Sequence, residues 1–352
     1  MPDLVVAGAG MAGLAAAARA RELGAEPLVL EKLERPGGSM SLSSGVVWRY
    51  RDFERFRSEC PDGDPELQRV VYERVDRELA WLERLGAPVL APDTGNPLTT
   101  GVRFEPAGLC RALVVAAGPI RLGEPIRELP SRPPVVLATG GFQADRGLVR
   151  RYITNQAEHL LLRAAAGGSG DGLRLGLAAG ARTSAGMDEF YGRNMPAPPA
   201  RVGEADFVPL AQLYAHHADV RSATGERRAP RSWSEIDVVQ WTARQPRARA
   251  WYRVAEPALD ARVRDRTVGE MVAAAEAAGA PVHREGGAVE VETVAGITTT
   301  LGGLRIDVAA RVASGVFACG SDAGGIATGG YASGLAAALV LGKVAAESAL
   351  EA

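Results

Sequence analysis

The feature that most constrains this chain is Gly8-Ala9-Gly10-Met11-Ala12-Gly13, set between an apolar run, Leu4 to Ala7, and an alanine-rich stretch, Ala12 to Leu23. The first run has the composition of a short buried strand. The second favours helix and ends at Gly24, where a C-terminal cap belongs. Pro27 to Leu30 is a second apolar run, closed by Glu31. Strand, glycine turn, helix and strand in this order form a βαβ unit, and so predict a parallel sheet. A glycine turn of this spacing suits a dinucleotide pyrophosphate. The first glycine makes the turn, the second admits the phosphates to the backbone, and the third lets helix and strand pack closely. The helix tip adds free N–H groups and partial positive charge. Glu31 stands roughly 20 residues on, where a carboxylate accepts from ribose hydroxyls. A tight turn without ligand is the competing reading of the glycines alone.

Composition removes several other classes. The formal net charge of −2 gives no reason to expect nucleic acid or an acidic membrane surface as partner. Cys60, Cys110 and Cys319 are scattered and odd in number, which argues against a disulfide framework and a structural zinc site. No metal-ligand spacing occurs, so no metal is expected. No apolar run is long enough to cross a bilayer, and the chain enters its first strand without a basic leader. A cytoplasmic protein is the expectation.

Along the chain, Asp64-Pro65 starts a helix, Asp as cap and Pro in the first turn, with Leu67, Val70, Val71, Val75, Leu79, Leu82 and Leu85 at helical spacing down to Gly86. Further helices are predicted over 107–117, 173–179 and 333–350, and strands over 135–138 and 316–318. Residues 118–134 are proline-rich and hold at most two short strands. From Met187 to about Ala295 aromatics, prolines and arginines increase and periodicity weakens, as expected of a second, inserted domain.

Five stretches carry a likeness to a known family. They are "GGSMSLSSG" (Gly37 to Gly45), "VVLATGGF" (Val135 to Phe142), "GGSGDGLRLGLAAGA" (Gly167 to Ala181), "TTTLGGLRID" (Thr298 to Asp307) and "GVFACGSDAGGIATGGYASGLAAALVLGKVA" (Gly315 to Ala345). In this order the chain resembles the fumarate reductase and succinate dehydrogenase flavoproteins, with their ketosteroid dehydrogenase relatives. The resemblance implies an α/β fold: a Rossmann-like FAD-binding domain in two parts, 1–188 and 298–352, with an α+β capping or substrate domain, 189–297, inserted between them.

It also implies which residues meet FAD. In the first βαβ unit these are Gly8, Gly10, Met11, Ala12, Gly13, Glu31 and Lys32. In the second motif they are Gly38, Ser39, Met40, Ser44 and Gly45, and in the next two Ala138, Thr139, Gly140 and Asp171. Ser333, Gly334 and Leu335 would present the last helix's tip to the flavin C2 carbonyl, where reduced flavin carries negative charge. The family's ribityl-binding glutamate aligns with Ser321, and Asp322, one position later, is the favoured substitute. Members with covalent flavin carry a histidine near the second motif. Residues 37–45 hold none, so non-covalent FAD is expected.

The family's dicarboxylate clamp is largely missing. Its histidines align with Thr298 or Thr299 and with Tyr191-Gly192. Its catalytic arginine falls around Ser234 to Ile236, with Arg231 the nearest arginine upstream, and its carboxylate-gripping arginine falls near Gly329. Fumarate or succinate is therefore not the expected substrate. What remains is hydride exchange with flavin N5 at one carbon and proton transfer at its neighbour, beside a carbonyl. Tyr191 is the first candidate for proton transfer or carbonyl polarisation, against an ordinary half-buried aromatic. Arg193 is the candidate to orient a carbonyl or carboxylate, and Tyr331 lies just before the last helix. His216-His217 and the cluster Arg227, Arg228, Arg231 read more readily as surface.

The expectation is a flavoenzyme that desaturates or reduces a C–C bond next to a carbonyl of a small organic, steroid-like or polyketide-like substrate. Its electron donor or acceptor is undetermined. The alternatives are a flavin hydroxylase or amine oxidase, a flavin-binding protein without turnover, and an NAD-only dehydrogenase.

Overall fold

The computed structural model describes all residues, Met1 to Ala352. They form two compact units. The first contains Met1–Asp145, Ala165–Glu189 and Thr299–Ala352, and the second Arg146–Ala164 and Phe190–Thr298.

The first unit is organised by a six-stranded sheet in the order Arg311–Ala313, Val316–Ala318, Val135–Leu137, Leu4–Ala7, Pro27–Leu30, Ile120–Arg121. All neighbours are parallel except the outermost hairpin, Arg311–Ala313 with Val316–Ala318. Val6 lies opposite Val29 on one side and Val136 on the other, and Val136 opposite Phe317. Leu4–Ala7, Val135–Leu137 and Val316–Ala318 are buried on both faces, which is why they read as unbroken apolar runs. The helix Met11–Glu22 packs against the sheet, the last helix Gly334–Leu350 and the helix Pro106–Ala117. Ala15, Ala16, Ala17 and Ala20 are wholly buried, and their small side chains let the helix approach all three. Asp64 caps the helix Pro65–Arg84 through the amides of Glu66 and Leu67, at 2.9 and 3.2 Å. A three-stranded antiparallel sheet, Val46–Tyr50, Thr99–Phe104 and Val89–Ala91, stands beside these helices. No helix is long and apolar enough to cross a membrane.

The second unit is built on the long strand Ala288–Thr300, paired antiparallel with Arg249–Ala255 and Val282–Glu285. The helix Val268–Ala277 covers this sheet, and Tyr214, Tyr252, Val254, Met271 and Val291 form the core between them. Residues 146–164, assigned from sequence to the first part of the chain, pack with this unit. Leu161–Leu162 adds a parallel strand to Ala288–Thr300, and the Thr154 hydroxyl donates to the Ala243 carbonyl at 2.8 Å.

Candidate FAD site

The glycine turn is shaped by close approach. Gly8 has φ +106°, and a Cβ there would lie 2.1 Å from the Ala138 carbonyl oxygen. A Cβ on Gly13 would lie 1.8 Å from the Gly8 carbonyl oxygen. Only bare backbone lets the strand, the helix and the Ala138-Thr139 segment meet here. Gly10 differs: its open side has no atom within 4 Å of the Cβ position. It caps the helix Met11–Glu22 without any side-chain hydrogen bond, and no acidic residue occupies the first turn. The amides of Met11, Ala12 and Gly13 therefore have no helical acceptor. An uncapped, positively polarised helix tip facing open space is a seat for a diphosphate.

Around this tip the other sequence motifs converge. Gly37 donates its amide to the Ala9 carbonyl at 2.7 Å, and a Cβ on Gly38 would reach within 3.5 Å of Gly10 Cα. Ser39 Oγ accepts from the Ala165 amide at 3.1 Å, and Met40 is buried beneath. Ser44 and Gly45 bond towards the three-stranded sheet. The Ser44 carbonyl accepts from Arg103 Nε at 3.3 Å, and the Gly45 carbonyl from the Phe104 amide at 2.9 Å.

Glu31 is buried. Its Oε2 accepts from the Ala9 amide at 2.7 Å and its Oε1 from the Leu33 amide at 2.8 Å. A carboxylate has about four lone-pair sites, so two remain for ribose hydroxyls. Lys32 Nζ donates to Ser169 Oγ at 2.5 Å and to Asp171 Oδ2 at 2.7 Å, joining the first βαβ unit to the third glycine loop. Gly8, Glu31, Lys32, Thr139 and Asp171, with the apolar Pro125 and Ile126, line a cleft beside the turn.

Asp322, which the resemblance directs towards the ribityl chain, instead points inward, 1% exposed, where it accepts from the Thr139 amide, from Thr139 Oγ1 at 3.0 Å and from the Gly141 amide at 3.1 Å. Thr139 Oγ1 in turn accepts from the Gly172 amide at 2.9 Å. Asp322 thus braces the Thr139–Gly141 loop from below. Burial pushes its carboxyl above the ordinary aspartate range, and the three donors from Thr139 and Gly141 oppose the shift. Ser321 Oγ lies 2.5 Å from Thr299 Oγ1.

At the last helix, Ser333 is the N-cap and its Oγ accepts from the Ala336 amide at 3.2 Å. The amides of Gly334 and Leu335, the first two of the helix, have no helical acceptor. Just before them, the Tyr331 ring lies 5.3 Å from that of Trp48, and the Tyr331 carbonyl accepts from Tyr50 Oη at 2.6 Å.

The second unit holds the other candidates. Tyr191 and Arg193 project from one face of the strand Phe190–Pro196, with the guanidinium 5.3 Å from the ring centre. Arg193 is 5% exposed and donates to the Ser234 carbonyl. His216 and His217 are exposed. Arg227 pairs with Asp219 at 2.8 Å and Arg228 with Asp237 at 3.1 Å, while Arg231 is exposed. Sequence reasoning missed Glu235 altogether: a buried carboxyl beside Arg193, pushed upward by burial and held back by the Arg193 charge. Its only sequence signal is its place at the family's arginine position.

A parallel sheet, a glycine turn under an uncapped helix and an acidic residue ending the second strand define a dinucleotide-binding protein. The profile of the family described as FAD binding domain matches residues 3–121 and 110–334, and the chain belongs to that family. Its dinucleotide is FAD, and the geometry above fits it. Among curated proteins no sequence matches. Solved structures are similar in fold over 99% of this chain. They include the open conformation of a flavocytochrome c3 fumarate reductase, at 18% identity, TM-score 0.75 and 78% of that chain. The 3-ketosteroid-Δ4-(5α)-dehydrogenase from Rhodococcus jostii RHA1 shares 20% identity, with TM-score 0.74 and 96% of that chain covered. The 3-ketosteroid Δ1-dehydrogenase from Sterolibacterium denitrificans shares 16%, with TM-score 0.74 and 99% covered.

Proposed function

We propose that this flavoprotein is an oxidoreductase that desaturates or reduces a C–C bond next to a carbonyl group, with non-covalently held FAD. The observation that carries the reading is the FAD seat itself, joined in one chain to a separate unit that pairs a tyrosine with a buried arginine. Bound FAD supplies two-electron chemistry, as hydride accepted or given at its N5.

The chain's own residues do the rest. Amides at the tips of Met11–Glu22 and Gly334–Leu350 stabilise negative charge, on the diphosphate and on the reduced ring respectively. Tyr191 polarises the substrate carbonyl, so that negative charge building on its oxygen has a donor. Two of the similar structures hold 4-androstene-3,17-dione and 1,4-androstadiene-3,17-dione, ketones with a double bond beside a carbonyl. The dicarboxylate clamp expected from the resemblance is largely missing from this sequence, which favours a ketone over fumarate or succinate.

The test is anaerobic. A saturated cyclic ketone should bleach the oxidised flavin band of the FAD-loaded protein, or an enone should restore it after chemical reduction. In a parallel aerobic assay, oxygen consumption with rapid peroxide formation, in a protein that gives neither anaerobic response, would favour a hydroxylase or amine oxidase. A band that no ketone, enone, amine or reductant changes would mean a flavin binder without turnover.

A further inference from the structure

Four of the seven residues from Gly324 to Gly330 are glycine, and this run leads through Tyr331 to the tip of the last helix. A stretch so rich in glycine has little conformational preference of its own, so its path must be set by what it touches. The path matters because of where it ends. A Cβ on Gly320 would lie 3.0 Å from the Cβ of Ala12 and 3.9 Å from that of Ala338, so the N-terminal ends of Met11–Glu22 and Gly334–Leu350 lie side by side. Gly334, like Gly10, has no atom within 4 Å of its Cβ position. Within the first unit, two helix tips with unbonded amides thus stand together, the first assigned above to the diphosphate and the second to the flavin ring.

The glycine run enters held by strand-end carbonyls: the amides of Gly324 and Gly325 donate to Leu304 and Leu301 at 3.0 and 3.2 Å. From there it lies against the segment Val46 to Gln68. A Cβ on Gly330 would sit 1.7 Å from the Glu59 carbonyl oxygen, and one on Gly63 would sit 2.3 Å from the Ile326 carbonyl oxygen. At the second of these contacts stands Gln68, wholly buried on the helix Pro65–Arg84. Its Nε2 donates across the seam to the Ile326 carbonyl at 2.8 Å and on its own side to the Cys60 carbonyl at 2.9 Å. Its Oε1 accepts from Arg57 Nη1 at 2.6 Å, and the same guanidinium bonds the carbonyls of Gly63 and Pro61 at 2.7 and 3.0 Å. Both amide protons are in use, and Arg57 fixes which end of the amide points where. Beyond this point the Tyr331 amide donates to Cys60 Sγ, the Tyr331 carbonyl accepts from Tyr50 Oη, and Ser333 Oγ accepts from the Trp48 amide at 3.4 Å. An apolar side chain of the same size would fill the space of Gln68 and specify none of this; a buried carbonyl that loses its donor is costly, so the amide selects one path.

We propose that Gln68, oriented by Arg57, is a positioning residue for the flavin end of FAD. It fixes the run Gly325–Gly330, and through that run the place of the Gly334 and Leu335 amides. The inference rests on the cofactor reading and on the flavin's place at the last helix, and is independent of which substrate is turned over. Gln68 is wholly buried, so its influence travels through the backbone it holds. Held in place, the helix tip favours negative charge on the reduced ring. The adenosine and diphosphate seat, built from Gly8 to Gly13 and Glu31, has no contact with Gln68 and should not depend on it.

The test compares FAD with ADP, which carries the adenosine and diphosphate and no flavin. In calorimetric titrations of the full-length chain stripped of cofactor, Gln68→Met should bind ADP within about twofold of wild type and FAD about tenfold more weakly, as expected for one lost hydrogen bond at the flavin end. In the FAD-loaded proteins the two-electron midpoint potential should fall by about 30 mV, a tenfold weaker preference for the reduced ring. Val75→Ala, a wholly buried position on the same helix, is the control for lost stability alone: its Tm should fall while both affinities and the potential stay. If Gln68→Met does not fold, Arg57→Met, at a half-buried position, takes its place and should show the same changes at smaller size. A wild-type affinity ratio and potential in the variant, or equal weakening of FAD and ADP, overturns the proposal and leaves the cofactor reading intact. Wild type that binds FAD no more tightly than ADP overturns the flavin's placement and the proposal with it.

Discussion

A methyl group placed at Gly10 and one placed at Gly13 should have different consequences, although the two glycines belong to one turn. At Gly13 the new Cβ would sit 1.8 Å from the Gly8 carbonyl oxygen, 2.9 Å from its carbon and 3.3 Å from Val6 Cγ1. The first contact is with backbone, so the helix Met11–Glu22 must move off the strand Leu4–Ala7. Overpacking of this kind costs about 1–3 kcal/mol. For a chain of this size that lowers Tm by roughly 1–4 °C. At Gly10, φ is −82° and no atom lies within 4 Å of the Cβ position. Exchanging a glycine cap for alanine costs about 0.5–1 kcal/mol, so Tm should stay within about 2 °C. The same methyl group, however, points into the space assigned to the diphosphate. Displacing two charge-assisted amide–phosphate bonds, at about 1.5–3 kcal/mol each, weakens FAD binding by about 10² to 10⁴-fold. The assay is calorimetric titration with FAD, alongside thermal melts, all on cofactor-stripped protein because bound ligand raises Tm by itself. Gly10→Ala that melts like wild type yet fails to bind FAD is the expected result. Gly10→Ala that binds FAD as wild type does would refute this placement of the diphosphate.

Three other perturbations follow from single contacts. Asp322→Ala strands three donors of the Thr139–Gly141 loop; at about 1 kcal/mol or more for each, urea unfolding should show a loss of about 3 kcal/mol, with weakened FAD binding. Cys60, Cys110 and Cys319 are all buried, and burial pushes the Cys60 thiol up to about 12. A thiol reagent should therefore find none of them in the native protein and all three in denaturant. Glu235 titrates higher folded than unfolded, so the native state holds its proton more tightly and its contribution to stability falls as pH rises from the ordinary value of 4.5 through the elevated folded one. Urea melts over that window should show Glu235→Gln losing less stability with rising pH than wild type; parallel curves would contradict the assignment.

Much of the first unit could be read before any coordinates because its signals are local. A glycine spacing, an Asp64 cap with Pro65 behind it, and apolar runs of three or four residues each specify an element without reference to distant chain. The second unit offered little of that kind. Its long strand, Ala288–Thr300, is largely buried and joins partners from residues 161, 190, 249 and 282 onward, so its order is written in pairings, which sequence period does not carry. The two carboxylates show the same limit at the scale of a side chain. Ser321 and Asp322 are adjacent, and only the short helical turn Gly320–Asp322 decides which one points inward. Glu235 stands in a polar, arginine-rich segment that reads as surface. Its burial depends on a left-handed turn and on Arg193, 42 positions earlier in the sequence.

The most direct test of the account is the absorption spectrum of the purified, FAD-reconstituted chain before and after acid precipitation. An oxidised flavin spectrum that stays with the protein through gel filtration, then passes wholly to the acid supernatant as FAD, is the predicted result. A folded chain that remains colourless in the presence of FAD would contradict the cofactor site, and colour retained in the acid pellet would contradict non-covalent attachment.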